Sequence, residues 1–170
     1  MSERFKSWVY CRTDWGTVVV LTCHFKFDRA TMAQKFSDDS ANGNGRPICN
    51  GCGPAGYGAL VPDSILGVNI TICGHIHNWA YQWGVDREDK MVADETFGDN
   101  MDRLIRDYFE NECHKLQGGI LVGWRTWLAR RRFNTRLDIA EDVYEKAVKI
   151  FGKSAFWDKR RLALKLEDIK

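Results

Sequence analysis

The segment from Asn69 to Tyr81 reads N-I-T-I-C-G-H-I-H-N-W-A-Y, and it constrains the chain more than any other. Wound as a helix, it sets Cys73, His77 and Tyr81 on one face at successive i, i+4 positions. Ile72, Ile76, Trp79 and Trp83 form a second, apolar strip that anchors the helix. A further helix is expected to start at Asp86, an N-cap followed by acids that favour the positive end of the dipole. Along it Met91, Asp94, Phe97, Met101, Ile105 and Tyr108 recur at spacings of three and four. Asp94 therefore stands on an apolar stripe, where leaving a carboxylate unpaired costs several kcal/mol. Gly84 and Val85 alone separate the first helix from Asp86, so the two helices are expected to run antiparallel. His77 is the partner expected for Asp94.

Ahead of the histidine helix, Gly51, Gly53 and Gly56 allow backbone angles that turn successive carbonyls inward, the arrangement an oxygen-seeking cation takes. The same region offers a competing donor set, Cys49, Cys52, Cys73 and His75, for zinc. The first pair has knuckle spacing. The second pair would sit at i and i+2 of one helix, pointing apart, so chelation there would be strained. A redox C-x-x-C reading lacks the following helix that lowers a thiol's pKa.

Taken in order, Cys52-Gly53-Pro54-Ala55-Gly56, then H-N-W-A-Y, then A-D-E-T-F, the chain resembles the secreted phospholipase A2 superfamily. In that family a glycine-rich calcium loop precedes a helix reading H-D-x-x-Y, and an aspartate on the antiparallel partner helix orients the histidine. The likeness is greatest to the short, disulfide-poor forms of parvovirus capsids and some microbes, and looser to phage-associated relatives. It spans residues 49 to 101. The fold it implies is mainly α: an antiparallel two-helix phospholipase A2-like core, an N-terminal β-hairpin and additional C-terminal helices. The activity it implies is hydrolysis of the sn-2 acyl ester of a glycerophospholipid. His77 would be the general base, Asp94 would orient it, Tyr81 would buttress Asp94, and the Gly53 amide would face the oxyanion. Calcium would be held by the carbonyls of Gly51, Gly53 and Ala55 together with Asn78. Asn78 stands where the family has a calcium-binding aspartate, so calcium should bind more weakly, affinity following ligand charge.

At 170 residues, 44% hydrophobic and 12% aromatic, the chain has the material for one packed domain rather than a disordered one. It is expected to divide into a hairpin and polar loop (1–48), the phospholipase-like core (49–115) and a basic helical region (116–170). A net charge of +2 implies no overall polyelectrolyte character. The start, M-S-E-R-F-K-S-W, shows no secretory signal, and no apolar run approaches a membrane span; synthesis in the cytosol and reduced thiols for all six cysteines are the expectation.

Trp8-Val9-Tyr10-Cys11 and Thr17 to Phe27 flank a turn at Thr13-Asp14-Trp15-Gly16 and read as a hairpin with one buried side, placing His24 on its polar side as a surface histidine. Asp38 to Gly45 reads as a polar loop. Beyond Gly118-Gly119, a last long helix is expected to be capped at Asn134 or Thr135 and to end at Gly152, with Leu137, Ala140, Tyr144, Ala147, Val148 and Phe151 inward. Trp124, Trp127 and Phe133 interleave with Arg125, Arg130, Arg131, Arg132 and Arg136, and Lys159-Arg160-Arg161 follows. This mixture suits an anionic lipid surface or a nucleic-acid backbone; equally, the tryptophans would be core and the arginines solvated. Two other classes thus stand beside the hydrolase: a catalytically silent binding protein of the same fold, and a nucleic-acid or partner-binding module.

Overall fold

The computed structural model describes residues 5–25, 62–84, 86–116 and 122–156. Strands β1 (Phe5–Arg12) and β2 (Val18–Phe25) form an antiparallel hairpin with Trp8 opposite Thr22 and Tyr10 opposite Val20. Gly16, at φ 93°, closes the turn, and Thr13 N–H donates to Thr17 O at 2.9 Å. Two short strands, β3 (Ser64–Ile65) and β4 (Val68–Asn69), then lead into helix α1 (Thr71–Trp83). Helix α2 follows (Arg87–Lys115), then α3 (Val122–Ile139), a π-helical turn (Ala140–Glu145) and α4 (Lys146–Phe156). The described part is mainly helical with a small N-terminal hairpin, as the periodicity requires. Among the described residues no helix is long and apolar enough to cross a membrane.

α2 starts where expected, because Asp86 and Asp89 form a capping box: Asp89 N–H donates to Asp86 at 2.8 Å and Asp86 N–H to Asp89 at 3.2 Å. The His77 ring meets Phe97 and the Tyr81 ring meets Lys90, so α1 ascends as α2 descends. Leu21, Ile65, Ile70, Cys73, Phe97, Met101 and Ile105 fill the core between hairpin and helices. Met91, placed on the buried stripe by its spacing, is instead half exposed, one turn before the stripe meets α1.

α2 also closes one edge of the hairpin. Thr22 turns its N–H and C=O away from β1, and the amide of the fully buried Asn100 takes both, accepting at 2.9 Å and donating at 2.8 Å. Arg103 donates to Val20 O at 3.3 Å, and Asp107 accepts from Thr17 at 2.5 Å and Trp15 at 2.6 Å. One helical turn advances about as far as two strand residues, so a row of side chains three and four apart keeps step with alternate strand residues. His24 belongs to this seam. It is half-buried against Thr96, 2.9 Å away, and is not the surface histidine that alternation along β2 suggests.

The C-terminal helix differs from expectation at both ends. Asn134 and Thr135 lie mid-helix, and Thr135 bonds back to Arg131 O at 3.1 Å instead of capping. Gly152 does not end the helix either. It packs so tightly on Tyr81 that a Cβ there would collide with the phenol oxygen, and the helix continues to Phe156. Arg136, grouped by sequence with the surface arginines, is buried: it pairs with Glu112 at 3.0 Å and donates to Leu66 O at 2.8 Å.

Candidate active site

His77 and Tyr81, one turn apart on α1, both reach Asp94 on α2. His77 Nε2 lies 3.1 Å and the Tyr81 hydroxyl 2.5 Å from Asp94 Oδ1. Lys90, one turn before Asp94, places Nζ 2.6 Å from Oδ2. Both carboxylate oxygens are therefore engaged, and His77, Asp94 and Tyr81 are all buried. The surroundings keep the group in place. The imidazole packs on the Tyr81 ring at 4.0 Å and on Phe97 at 4.9 Å, while Phe156 meets the Tyr81 ring edge-on at 5.1 Å.

The electrostatics follow from this packing. Burial pushes the Asp94 carboxyl up, but hydrogen bonds from His77, Lys90 and Tyr81 outweigh it and hold the group below its ordinary value. Asp94 is thus an anion at neutral pH. With Nε2–H directed at that anion, the imidazole's lone pair belongs to Nδ1, the tautomer a general base requires. A proton taken by the imidazole would add a positive charge beside a carboxylate already oriented to stabilise it.

Of the residues singled out by sequence, the structure brings His77, Asp94 and Tyr81 together. Asn78 is half-buried on α1, next in the chain to His77. Gly51, Gly53 and Ala55 lie outside the described residues, as do Cys49 and Cys52, the first half of the zinc alternative. Its second half is divided: Cys73 is buried in the hydrophobic core, whereas His75 lines a cavity of about 200 Å³ with Cys11, Asp14, Trp15 and Thr71, which includes none of His77, Tyr81 and Asp94. Among the described residues no three His, Cys, Asp or Glu side chains group as a metal site, and no disulfide joins Cys11, Cys23, Cys73 and Cys113. Burial pushes the Cys11 and Cys23 thiols up, away from thiolate character, with the Asp14 charge adding to the effect at Cys11.

Two residues of the site escape the sequence pattern. Lys90 carries a signal in retrospect, a cation four residues before a carboxylate on one helix. Gly152 carries none, because its role is the space it leaves for Tyr81. Comparison of the chain with protein-family profiles, curated proteins and solved structures finds no match.

Proposed function

We propose that the chain is a phospholipase A2-like hydrolase acting on the sn-2 acyl ester of glycerophospholipids, with its core the antiparallel helix pair α1–α2. The observation that supports this most is the buried Asp94 carboxylate receiving His77 on one oxygen and Lys90 on the other. In this reading His77 Nδ1 takes a proton from water as that water attacks the ester carbonyl, then returns it to the leaving alkoxide. Asp94 holds the tautomer and stabilises the imidazolium. Tyr81 and Lys90 hold Asp94. The carbonyls of Gly51, Gly53 and Ala55 and the amide oxygen of Asn78 would hold calcium. The described member, Asn78, supplies the oxygen donor such a cation prefers, though without charge. Bound there, calcium supplies electrophilic stabilisation of the oxyanion, to which the Gly53 amide would add.

The test is fatty-acid release from phospholipid vesicles across a calcium titration, with His77→Gln and Asp94→Asn alongside wild type. Release should depend on calcium and fall by about 10²–10⁴-fold in either variant. Release that His77→Gln leaves unchanged would remove the assignment. The neutral Asn78 favours one second reading, a binding protein of the same fold that retains phospholipid affinity without hydrolysis. Vesicle binding by wild type with no release at saturating calcium would select it.

A further inference from the structure

Helix α3 turns its two tryptophans to solvent. Ala129 and Arg136 mark its inward side, whereas Trp124 is 60% and Trp127 50% exposed. At about 100° per residue, Trp124, Trp127 and Arg131 fall on the side opposite the core, with Arg132 along one flank and Arg130 along the other, while Arg125, in the first turn, lies nearer the inward side. All four of these arginines are exposed, and among the described residues none is paired with a carboxylate. From Val122 the first acid is Asp138. The core reading of these tryptophans is therefore excluded, and what remains is an aromatic ridge bordered by cations that no described carboxylate pairs.

We propose that this face of α3 docks the protein on an anionic phospholipid bilayer, an inference that rests on the phospholipase reading for its choice of a lipid partner. The charge selects an anionic surface, to whose phosphates guanidinium groups bind in a fork. The indoles, apolar bodies with one polar N–H, suit the headgroup boundary. A single-stranded nucleic acid would instead need open ring faces for its bases. Here Trp127 stacks on Trp124 from the preceding turn, with centroids 5.1 Å apart and planes 21° apart, and takes Arg131 from the following turn at 5.6 Å. One face of each indole is taken by the other ring, and Arg131 also lies over the Trp127 ring, so fewer faces are open to bases.

The full chain is sedimented with phosphatidylcholine vesicles, with and without phosphatidylglycerol, as wild type, His77→Gln, Trp124→Ser/Trp127→Ser and Arg130→Glu/Arg131→Glu/Arg132→Glu. Circular dichroism verifies that each variant is folded. Wild type and His77→Gln should bind the anionic vesicles equally and the neutral ones at least about tenfold more weakly, and each surface variant should lose at least about tenfold in affinity. Because His77→Gln is scored on binding alone, loss of hydrolysis and loss of docking are separate results. Equal binding to both vesicle types, or surface variants that bind as wild type does, would overturn the proposal. So would a single-stranded oligonucleotide bound more tightly than the vesicles and released by the same substitutions.

Discussion

Lys90 Nζ sits 2.6 Å from Asp94 Oδ2, one turn away on the same helix, on the oxygen that His77 and Tyr81 leave to it. The carboxylate is thereby held from α1 and from its own helix at once. A rotation about its side-chain torsions that weakened one contact would strain the others, and that coupling is how a buried anion acquires a single orientation.

The same contacts link stability to pH. Asp94 is depressed when folded, so its contribution is present above the unfolded carboxylate range, about pH 4, and is lost as pH falls through the lower folded value. Urea titrations of wild type and Asp94→Asn should therefore converge as pH drops below about 4. Lys90→Met removes one of the groups that lower Asp94, so its acid loss should start in the same range but be smaller and be complete at a higher pH than in wild type. Parallel curves for all three proteins would show that Asp94 is not held as an ion.

Gly152 supports the site by having no side chain. A methyl group there would collide with the Tyr81 hydroxyl, which lies 2.5 Å from Asp94. Overpacking of this kind costs about 1–3 kcal/mol, against up to about 1 kcal/mol gained from alanine's helix propensity. Gly152→Ala should destabilise the protein on balance and, on the proposed reading, slow release of fatty acid from vesicles. In a Tyr81→Phe background, where the colliding oxygen is absent, the stability cost should shrink. An unchanged cost in that double-mutant cycle would locate the strain elsewhere.

Asp94 is legible because it stands on an apolar stripe, and His77 and Tyr81 because they share one helix face at i, i+4. Asn100 lies beside that stripe, on the polar row Thr96, Asn100, Arg103 and Asp107; what this row binds, the edge of β2, depends on tertiary contacts that no periodicity encodes. The C-terminal helix was misread for a different reason. Arg136, Ala140, Tyr144, Val148, Gly152 and Phe156 are spaced by fours, and all are buried except the partly buried Val148. In a regular α-helix such a row drifts about 40° per step. The π turn at Ala140–Glu145 offsets part of that drift, so a stripe that a 3.6-residue period breaks in two is continuous in space. The exposure of Trp124 and Trp127 was open at the sequence level, since aromatic–basic interleaving fits either side of a helix.

Asn100→Leu would leave Thr22 N–H and C=O without partners in the protein interior. At about 1–3 kcal/mol for each of the two unsatisfied groups, the variant should lose roughly 2–6 kcal/mol in chemical denaturation. Asn100→Asp should also destabilise at neutral pH, since an ionised carboxylate there faces the Thr22 carbonyl with no proton to give, and the loss should shrink at acid pH, where the protonated acid can donate. A loss below about 0.5 kcal/mol for Asn100→Leu would mean that water replaces the amide.

The turn between β3 and β4 holds Leu66 at φ 45°, followed by Gly67 at φ 88°. Both central residues are in the region that favours asparagine and glycine. Leu66 is 53% exposed, and Arg136 binds its carbonyl rather than its side chain, so little packing opposes a change. Leu66→Asn should stabilise the protein by about 0.5–1 kcal/mol, read as an upward shift in thermal midpoint.

Asn78→Asp tests the electrophile. The two side chains are nearly isosteric, so the substitution should leave α1 packed while adding one negative charge beside His77. If the loop containing Gly51, Gly53 and Ala55 completes a calcium site with this residue, binding should tighten by about 1–3 kcal/mol, the range of a charge-assisted contact. Activity at limiting calcium should rise in proportion, because the same ion would face the oxyanion. His77→Ala in that background should abolish hydrolysis and leave calcium affinity nearly unchanged, which separates ligation from proton transfer. Calorimetric titration of the three proteins beside the vesicle assay reads all of these quantities. Equal calcium affinity in wild type and Asn78→Asp would exclude Asn78 as a ligand, and hydrolysis indifferent to calcium would assign oxyanion stabilisation to the protein's own hydrogen-bond donors.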